Sequence, residues 1–199
     1  MLDYTFDISH KNEKIKVVCG VDEAGRGPFA GPVVAAACIM PDGFVIEGLD
    51  DSKKLTEKKR EKLFDIIIEN AIAYSIASAS VEEIEEINIL NASMLAMNRA
   101  VESLEIRPDL ALIDGNTSRG FTLPTKTVVG GDAISPSIAA ASILAKVTRD
   151  RMCYEFDKEY PEYGFAKHKG YGTKQHTDAI LKYGVTPIHR PSFLKKLLK

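Results

Sequence analysis

The sequence predicts an α/β fold with a helical C-terminal extension. Three observations predict it: short apolar runs that stop at turn residues, stretches of helical spacing between them, and a last third without a strand pattern. At 199 residues the chain reads as a single domain, 1–199. Its α/β core covers about 15–150 and its helical extension about 151–199.

Lys16–Val21 is a buried strand, apolar and bounded by Gly20. Pro32–Met40 is the second, followed by the turn residues Pro41-Asp42-Gly43. Thr56 opens a helix in which Leu55, Leu63, Phe64, Ile67 and Ile68 share one side, with Lys58, Lys59 and Arg60 on the other. Ile72, Tyr74 and Ile76 alternate with small residues, so Ala71–Ser80 is a third strand. Helical patterns follow through Glu82–Ile87 and Ala92–Leu104, ended by Arg107-Pro108. Leu110–Ile113 and Thr125–Val129 are short strands, stopping at Asp114-Gly115 and Gly130-Gly131-Asp132. Ser135 is an N-cap with Pro136 at the first helical position, and that helix continues through Ile138–Ala145 to Phe156. Shorter helices are expected at Lys174–Tyr183 and Pro191–Leu198.

Bulk properties exclude several classes. A composition of 45% hydrophobic and 27% charged residues, without low-complexity tracts, is that of a globular protein. The first ten residues lack a basic segment followed by an apolar run, and Val33–Met40 is too short to span a bilayer. Cys19, Cys38 and Cys153 are scattered, which predicts free thiols, a cytoplasmic setting and no zinc. The net charge of −2 does not suggest a nucleic-acid partner, but its distribution does. From Ala140 onward Lys and Arg exceed Asp and Glu by about six, enough to hold a phosphate backbone.

Three strand ends finish on acids: Asp22-Glu23, Asp114 and Asp132. Loops at strand ends converge on one edge of an α/β sheet, where sites form. Carboxylates beside glycines, without a Cys/His ligand pattern, favour hard cations such as Mg²⁺ or Mn²⁺. Two such ions suit phosphoryl chemistry. Turns also tolerate Asp for purely local reasons. Asp22 and Glu23, as neighbours on a strand, point to opposite faces. The expectation is a bend near Gly25 that lets Glu23 contribute through distorted geometry or its carbonyl. Gly25-Arg26-Gly27-Pro28 follows, a turn able to present N–H groups to an oxygen acceptor. Its spacing to Gly31 is not that of a dinucleotide site.

The run from Asp22 to Val33 resembles the signature of the ribonuclease HII family. Asp51-Ser52-Lys53-Lys54-Leu55, Ser137–Asp150, Gly170–His176 and His189-Arg190 to Phe193 match further family blocks in family order. The resemblance implies a ribonuclease H-like fold with a central mixed five-stranded sheet flanked by helices. It implies four active-site and metal-binding carboxylates, Asp22, Glu23, Asp114 and Asp132, with Mg²⁺ or Mn²⁺ in a two-metal mechanism. Gly25, Arg26 and Gly27 would recognise the ribose 2′-hydroxyl, and Tyr171 would pack on the following sugar. Arg26, in place of the Thr of the related HIII group, and the lack of a long N-terminal extension favour HII. Gly130 stands where many members carry Lys.

The implied reaction is hydrolysis of the RNA strand of RNA–DNA hybrids and cutting 5′ to single ribonucleotides in duplex DNA, giving 3′-hydroxyl and 5′-phosphate ends. The implied role is in removing misincorporated ribonucleotides. Ser142, Lys146 and Arg149 lie at i, i+4 and i+7 of one helix face and, with Ser52, Lys53 and Lys54, are expected phosphate contacts. Lys167, His168, Lys169 and Lys174 flank Tyr171 and suit the same backbone, with His168 or His176 as a further proton-transfer candidate. The tail Ser192–Leu198 reads as a terminal helix over the core, or else as a docking segment for a replication or repair protein. A monomer without membrane attachment is expected. The alternatives are another nuclease of the same fold, a non-catalytic hybrid-binding module and a small-molecule phosphohydrolase.

Overall fold

The computed structural model describes residue 2, residues 5–49, residue 52 and residues 55–199. Among these, β1 (Val18–Ala24), β2 (Val33–Ile39), β3 (Ala73–Ala79), β4 (Leu110–Asp114) and β5 (Thr125–Val128) form one mixed sheet in the order β3-β2-β1-β4-β5. The hairpin-linked strands β1 and β2 pair antiparallel, as do β2 and β3. Strands β4 and β5 continue the sheet parallel to β1. Parallel pairing of Val21 with Ile113 brings the next residues, Asp22 and Asp114, to neighbouring strand ends.

The described helices are α1 (Thr5–Ile8), α2 (Glu57–Asn70), α3 (Val81–Glu102), α4 (Pro136–Glu159), α5 (Phe165–His168), α6 (Lys174–Tyr183) and α7 (Pro191–Leu194). Each residue of β2 is buried, because helices cover both faces of the sheet. Val33, Ala35, Ala37 and Ile39 pack with Ala92, Met97 and Val101 of α3. The alternate residues Ala36 and Cys38 pack with Ile67 of α2 and Ile143 and Leu144 of α4. Cys19, Cys38 and Cys153 are buried free thiols, as expected.

The two helical patterns expected before Leu104 form one element with a break. Asn88 has φ 66° inside α3, and its Oδ1 accepts from Leu90 N at 3.0 Å and Asn91 N at 3.2 Å, restarting the helix. The N-terminus of α4 is capped twice. Ser135 Oγ accepts from Ile138 N, while the buried Asp7 of α1 accepts from Ser135 Oγ at 2.6 Å and Ser137 N at 3.0 Å. The last helix is shorter than expected, ending at Leu194. Leu194 is buried beside Tyr163, Phe165 and Ile180, so the tail does cover the core. Among the described residues no helix is long and apolar enough to cross a membrane.

Candidate active site

Three of the four acids expected at strand ends line a cavity of about 260 Å³. One side is lined by Asp22, Glu23 and Asp114, and another by Gly25, Arg26, Gly27 and Tyr171. Ser52, Ser142, Lys146 and Arg149 complete the wall from the α4 side. The bend expected near Gly25 starts only after Glu23. Pairing stays in register past it, Glu23 opposite Ala35 and Ala24 opposite Val34. Asp22 and Glu23 both line the cavity, as do the residues that follow them, Ala24 to Gly27. The turn begins beyond, where Gly25 takes φ 100°.

Burial raises the Asp22 pKa well above the carboxylate range, and the charges of Glu23 and then Asp114 raise it further. Two donors oppose this. The Ser142 hydroxyl donates to Asp22, and Glu23 N donates to Asp22 Oδ1 at 2.7 Å. With Ser142 so committed, Ser52 donates to Ser142 across 2.9 Å. Asp114 Oδ1 accepts from Gly131 N at 2.7 Å, which ties β4 to the 3₁₀ turn Gly131–Ala133. That turn holds the buried Asp132. Asp132 is one residue from a contact of Asp114 but is not among the residues lining the cavity.

The donor set suits a hard divalent cation: carboxylates alone, crowded so that their shared negative charge is unfavourable without a counter-charge. Among the described residues no three acidic, histidine or cysteine side chains converge into a ready-made cage. The chemistry fits such an ion, while the side chains stand apart along the wall.

The remaining expected contacts divide. Tyr171 is 46% exposed beside Gly27 in the loop between α5 and α6, so it is no core aromatic. Lys146 lines the cavity and pairs with the buried Asp150 at 2.6 Å. Ser142 and Ser52 are buried in the Asp22 network. Arg149 is only 2% exposed, and its guanidinium donates to the carbonyls of Ala30 at 3.0 Å, Lys169 at 3.0 Å and Pro32 at 3.3 Å. Helical spacing put it on the cavity face, and these carbonyls fix the orientation of its guanidinium there. Lys53 and Lys54 lie outside the described residues.

His168 and His176 stack on each other inside the C-terminal segment, 4.4 Å between ring centroids, and line no part of the cavity. Lys169 donates to Ala166 O, and Lys174 pairs with Asp178.

Residue types and spacing do not reveal two further participants. Arg60 donates to Ser52 O at 3.0 Å and Leu55 O at 2.6 Å, and lies 3.6 Å from Asp150. The fully buried Arg190 donates to the carbonyls of Gly25, Arg26 and Gly31. Burial, and then the charge of Arg149, lowers the Arg190 pKa, and the carbonyls around both guanidiniums offset that desolvation.

A family model described as Ribonuclease HII matches residues 19–196. The chain is 60% identical over 178 residues to a ribonuclease HII of Burkholderia thailandensis, covering 89% of this chain and 83% of the relative. It is 60% identical over 176 residues to one of Desulfitobacterium hafniense, covering 88% and 68%. Among solved structures it resembles the ribonuclease H2 of Pyrococcus horikoshii, with a TM-score of 0.73 and 29% identity over 92% of this chain and 97% of that one.

Proposed function

Because the chain belongs to the ribonuclease HII family of type 2 ribonuclease H hydrolases, we propose that it hydrolyses the RNA strand of RNA–DNA hybrids and cuts 5′ to single ribonucleotides in duplex DNA. The products are 3′-hydroxyl and 5′-phosphate ends. One observation carries this reading: the carboxylates of Asp22, Glu23 and Asp114 share a cavity with the Gly25–Gly27 turn and Tyr171. Carboxylates and a glycine-flanked turn with an aromatic neighbour thus line one shared space, which supports the reading.

In this reading Asp22, Glu23, Asp114 and Asp132 hold Mg²⁺ or Mn²⁺, as a pair of ions. The bound ions supply charge neutralisation at the phosphodiester and acidification of water. The chain's own residues do the rest. The backbone of Gly25, Arg26 and Gly27 hydrogen-bonds the 2′-hydroxyl, which distinguishes RNA from DNA without reading the base. Tyr171 packs on the next sugar, where a hydroxyl would crowd the ring. Lys146 approaches the phosphate backbone, and Ser52 and Ser142 act through Asp22 by favouring its ionised form.

The test is cleavage of a labelled DNA duplex carrying one ribonucleotide, with Mg²⁺, with Mn²⁺ and with chelator, beside an all-DNA duplex and the Asp22→Asn variant. The expected result is a metal-dependent cut 5′ to the ribonucleotide, absent in both controls. Equal cutting of the all-DNA duplex would make it a general nuclease, and binding without cutting a hybrid-binding module.

A further inference from the structure

Residues 188–190 run antiparallel to residues 29–31. Gly31 N donates to Ile188 O and Arg190 N to Phe29 O, each at 2.8 Å, with Ala30 and His189 bridged between them. Two successive side chains leave this ladder in different directions. They reach the two parts of the cavity rim assigned above to the sugar.

Arg190 reaches the turn. Its Nη2 donates to Gly25 O at 2.7 Å, Nη1 to Arg26 O at 3.1 Å and Nε to Gly31 O at 2.8 Å. In a trans peptide the C=O and N–H point in opposite directions. Holding the carbonyls of Gly25 and Arg26 therefore turns the N–H groups of Arg26 and Gly27 away from Arg190. Those N–H groups belong to residues that line the cavity, which Arg190 does not.

His189 reaches Tyr171 through His176. Thr186 N and Oγ1 lie 2.9 Å and 2.8 Å from His189 Nδ1, which therefore accepts and leaves the proton on Nε2. His189 Nε2–H donates to His176 Nε2 at 3.0 Å, and His176 Nδ1–H donates to Tyr171 O at 2.9 Å. One set of neutral tautomers satisfies every member of the chain.

We propose that the adjacent pair His189 and Arg190 is a positioning element that holds the Gly25–Gly27 turn and Tyr171 in register with each other. This rests on the sugar-reading role given to that turn above. The pair touches no substrate. Arg190 fixes where the 2′-hydroxyl is sensed, and His189 fixes where the next sugar packs. Substrates differ in their need for that register. A single ribonucleotide offers one hydroxyl, so a misaimed turn loses it. A continuous RNA strand offers a hydroxyl at each neighbouring sugar, so a shifted turn still meets one and a displaced Tyr171 crowds the next ribose less.

The test compares the wild type with Arg190→Lys and His189→Asn on two duplexes of one sequence, beside an all-DNA control. One duplex carries a single ribonucleotide and the other a continuous RNA strand. Lys keeps the charge of Arg190 but not its three-way donation, and Asn keeps the acceptor for Thr186 but not the donation to His176. Thermal melting reports the folded fraction. A wild type that cuts all-DNA equally would overturn the proposed function before any variant is compared. If the pair sets the register, Arg190→Lys lowers kcat at the single ribonucleotide by about 10²-fold and the single-to-continuous ratio by about tenfold. His189→Asn lowers that ratio in the same direction. Equal loss on both duplexes, which is what partial unfolding produces, or an unchanged ratio in both variants would overturn the inference.

Discussion

Gly20 of β1 lies directly against the backbone of Ser137 at the start of α4. A Cβ at Gly20 would stand 2.1 Å from the Ser137 carbonyl carbon and 2.2 Å from Ile138 N. Backbone atoms cannot swing aside as side chains do. The first turn of α4 can therefore approach β1 this closely only over a glycine, and α4 also carries Ser142 and Lys146 to the cavity.

Gly20→Ala should accordingly push α4 off the sheet. Overpacking of this kind costs about 3 kcal/mol, or roughly 6–12 °C in Tm for a chain of this size. Thermal and urea melts check it. A variant that melts with the wild type would show that α4 adjusts freely.

Asp22→Asn should abolish cleavage yet stabilise the metal-free protein at neutral pH. The native Asp22 pKa is raised, chiefly by burial and then by Glu23 and Asp114. The native state thus holds its proton more tightly than the unfolded chain. The stability this contributes is fully present below the unfolded pKa and is lost as pH rises through the native one. Removing the charge should recover about 1–2 kcal/mol, read as a Tm rise of roughly 2–8 °C in chelator. Mg²⁺ should stabilise the wild type more than the variant.

Ser142→Ala should shift the acid limb of the activity profile to higher pH. Its hydroxyl favours the ionised form of Asp22. Without it that carboxyl holds its proton to higher pH, and the half-maximal point on the acid side moves up. A pH–rate profile of kcat/KM on the single-ribonucleotide duplex decides it, an unmoved limb counting against Asp22 as the titrating group.

The buried histidines predict acid lability of the C-terminal segment. Burial lowers His176 and His189 to about 4 from their ordinary value of 6.5. Between those values the unfolded chain binds more protons than the native one. Stability therefore falls as pH drops from 6.5 toward 4 and is flat in these groups above 6.5. Melting across that range should show the decline, and His176→Asn should flatten it.

Lys146→Ala should weaken duplex binding without altering sequence preference. Asp150 keeps Arg60 as a partner at 3.6 Å, so no buried charge is stranded. The expected signature is a raised KM and a slope of log K against log salt shallower by about one. An unchanged slope would remove Lys146 from the phosphate contacts.

The strand ends that carry Asp22, Glu23 and Asp114 were legible because apolar runs stop there against glycines. The Ser135–Pro136 start of α4 and the Lys174–Tyr183 helix were equally plain, since capping and periodicity are local. What the sequence hid was non-local. Arg149 shares a helix face with Ser142 and Lys146, yet its partners are carbonyls of Ala30, Pro32 and Lys169 that no spacing connects to it. Arg190 appeared only as part of a closing motif, with its bonds to Gly25 and Arg26 reaching across most of the chain. The four-residue helices α1 and α5 went unread because a single turn leaves no periodicity. Glu23 needs no distorted strand, since it lines the cavity while still paired in register with Ala35.

Arg190 follows Arg26 by 164 residues. During translation the ribosome therefore delivers the carboxylates of Asp22, Glu23 and Asp114 long before the guanidinium that orients the turn beside them. A nascent chain stopped short of Arg190 carries the acidic cluster without the three donations that hold the carbonyls of Gly25, Arg26 and Gly31. Emergence of the segment that carries Arg190 is thus a late step, in which the turn is fixed beside acids already synthesised.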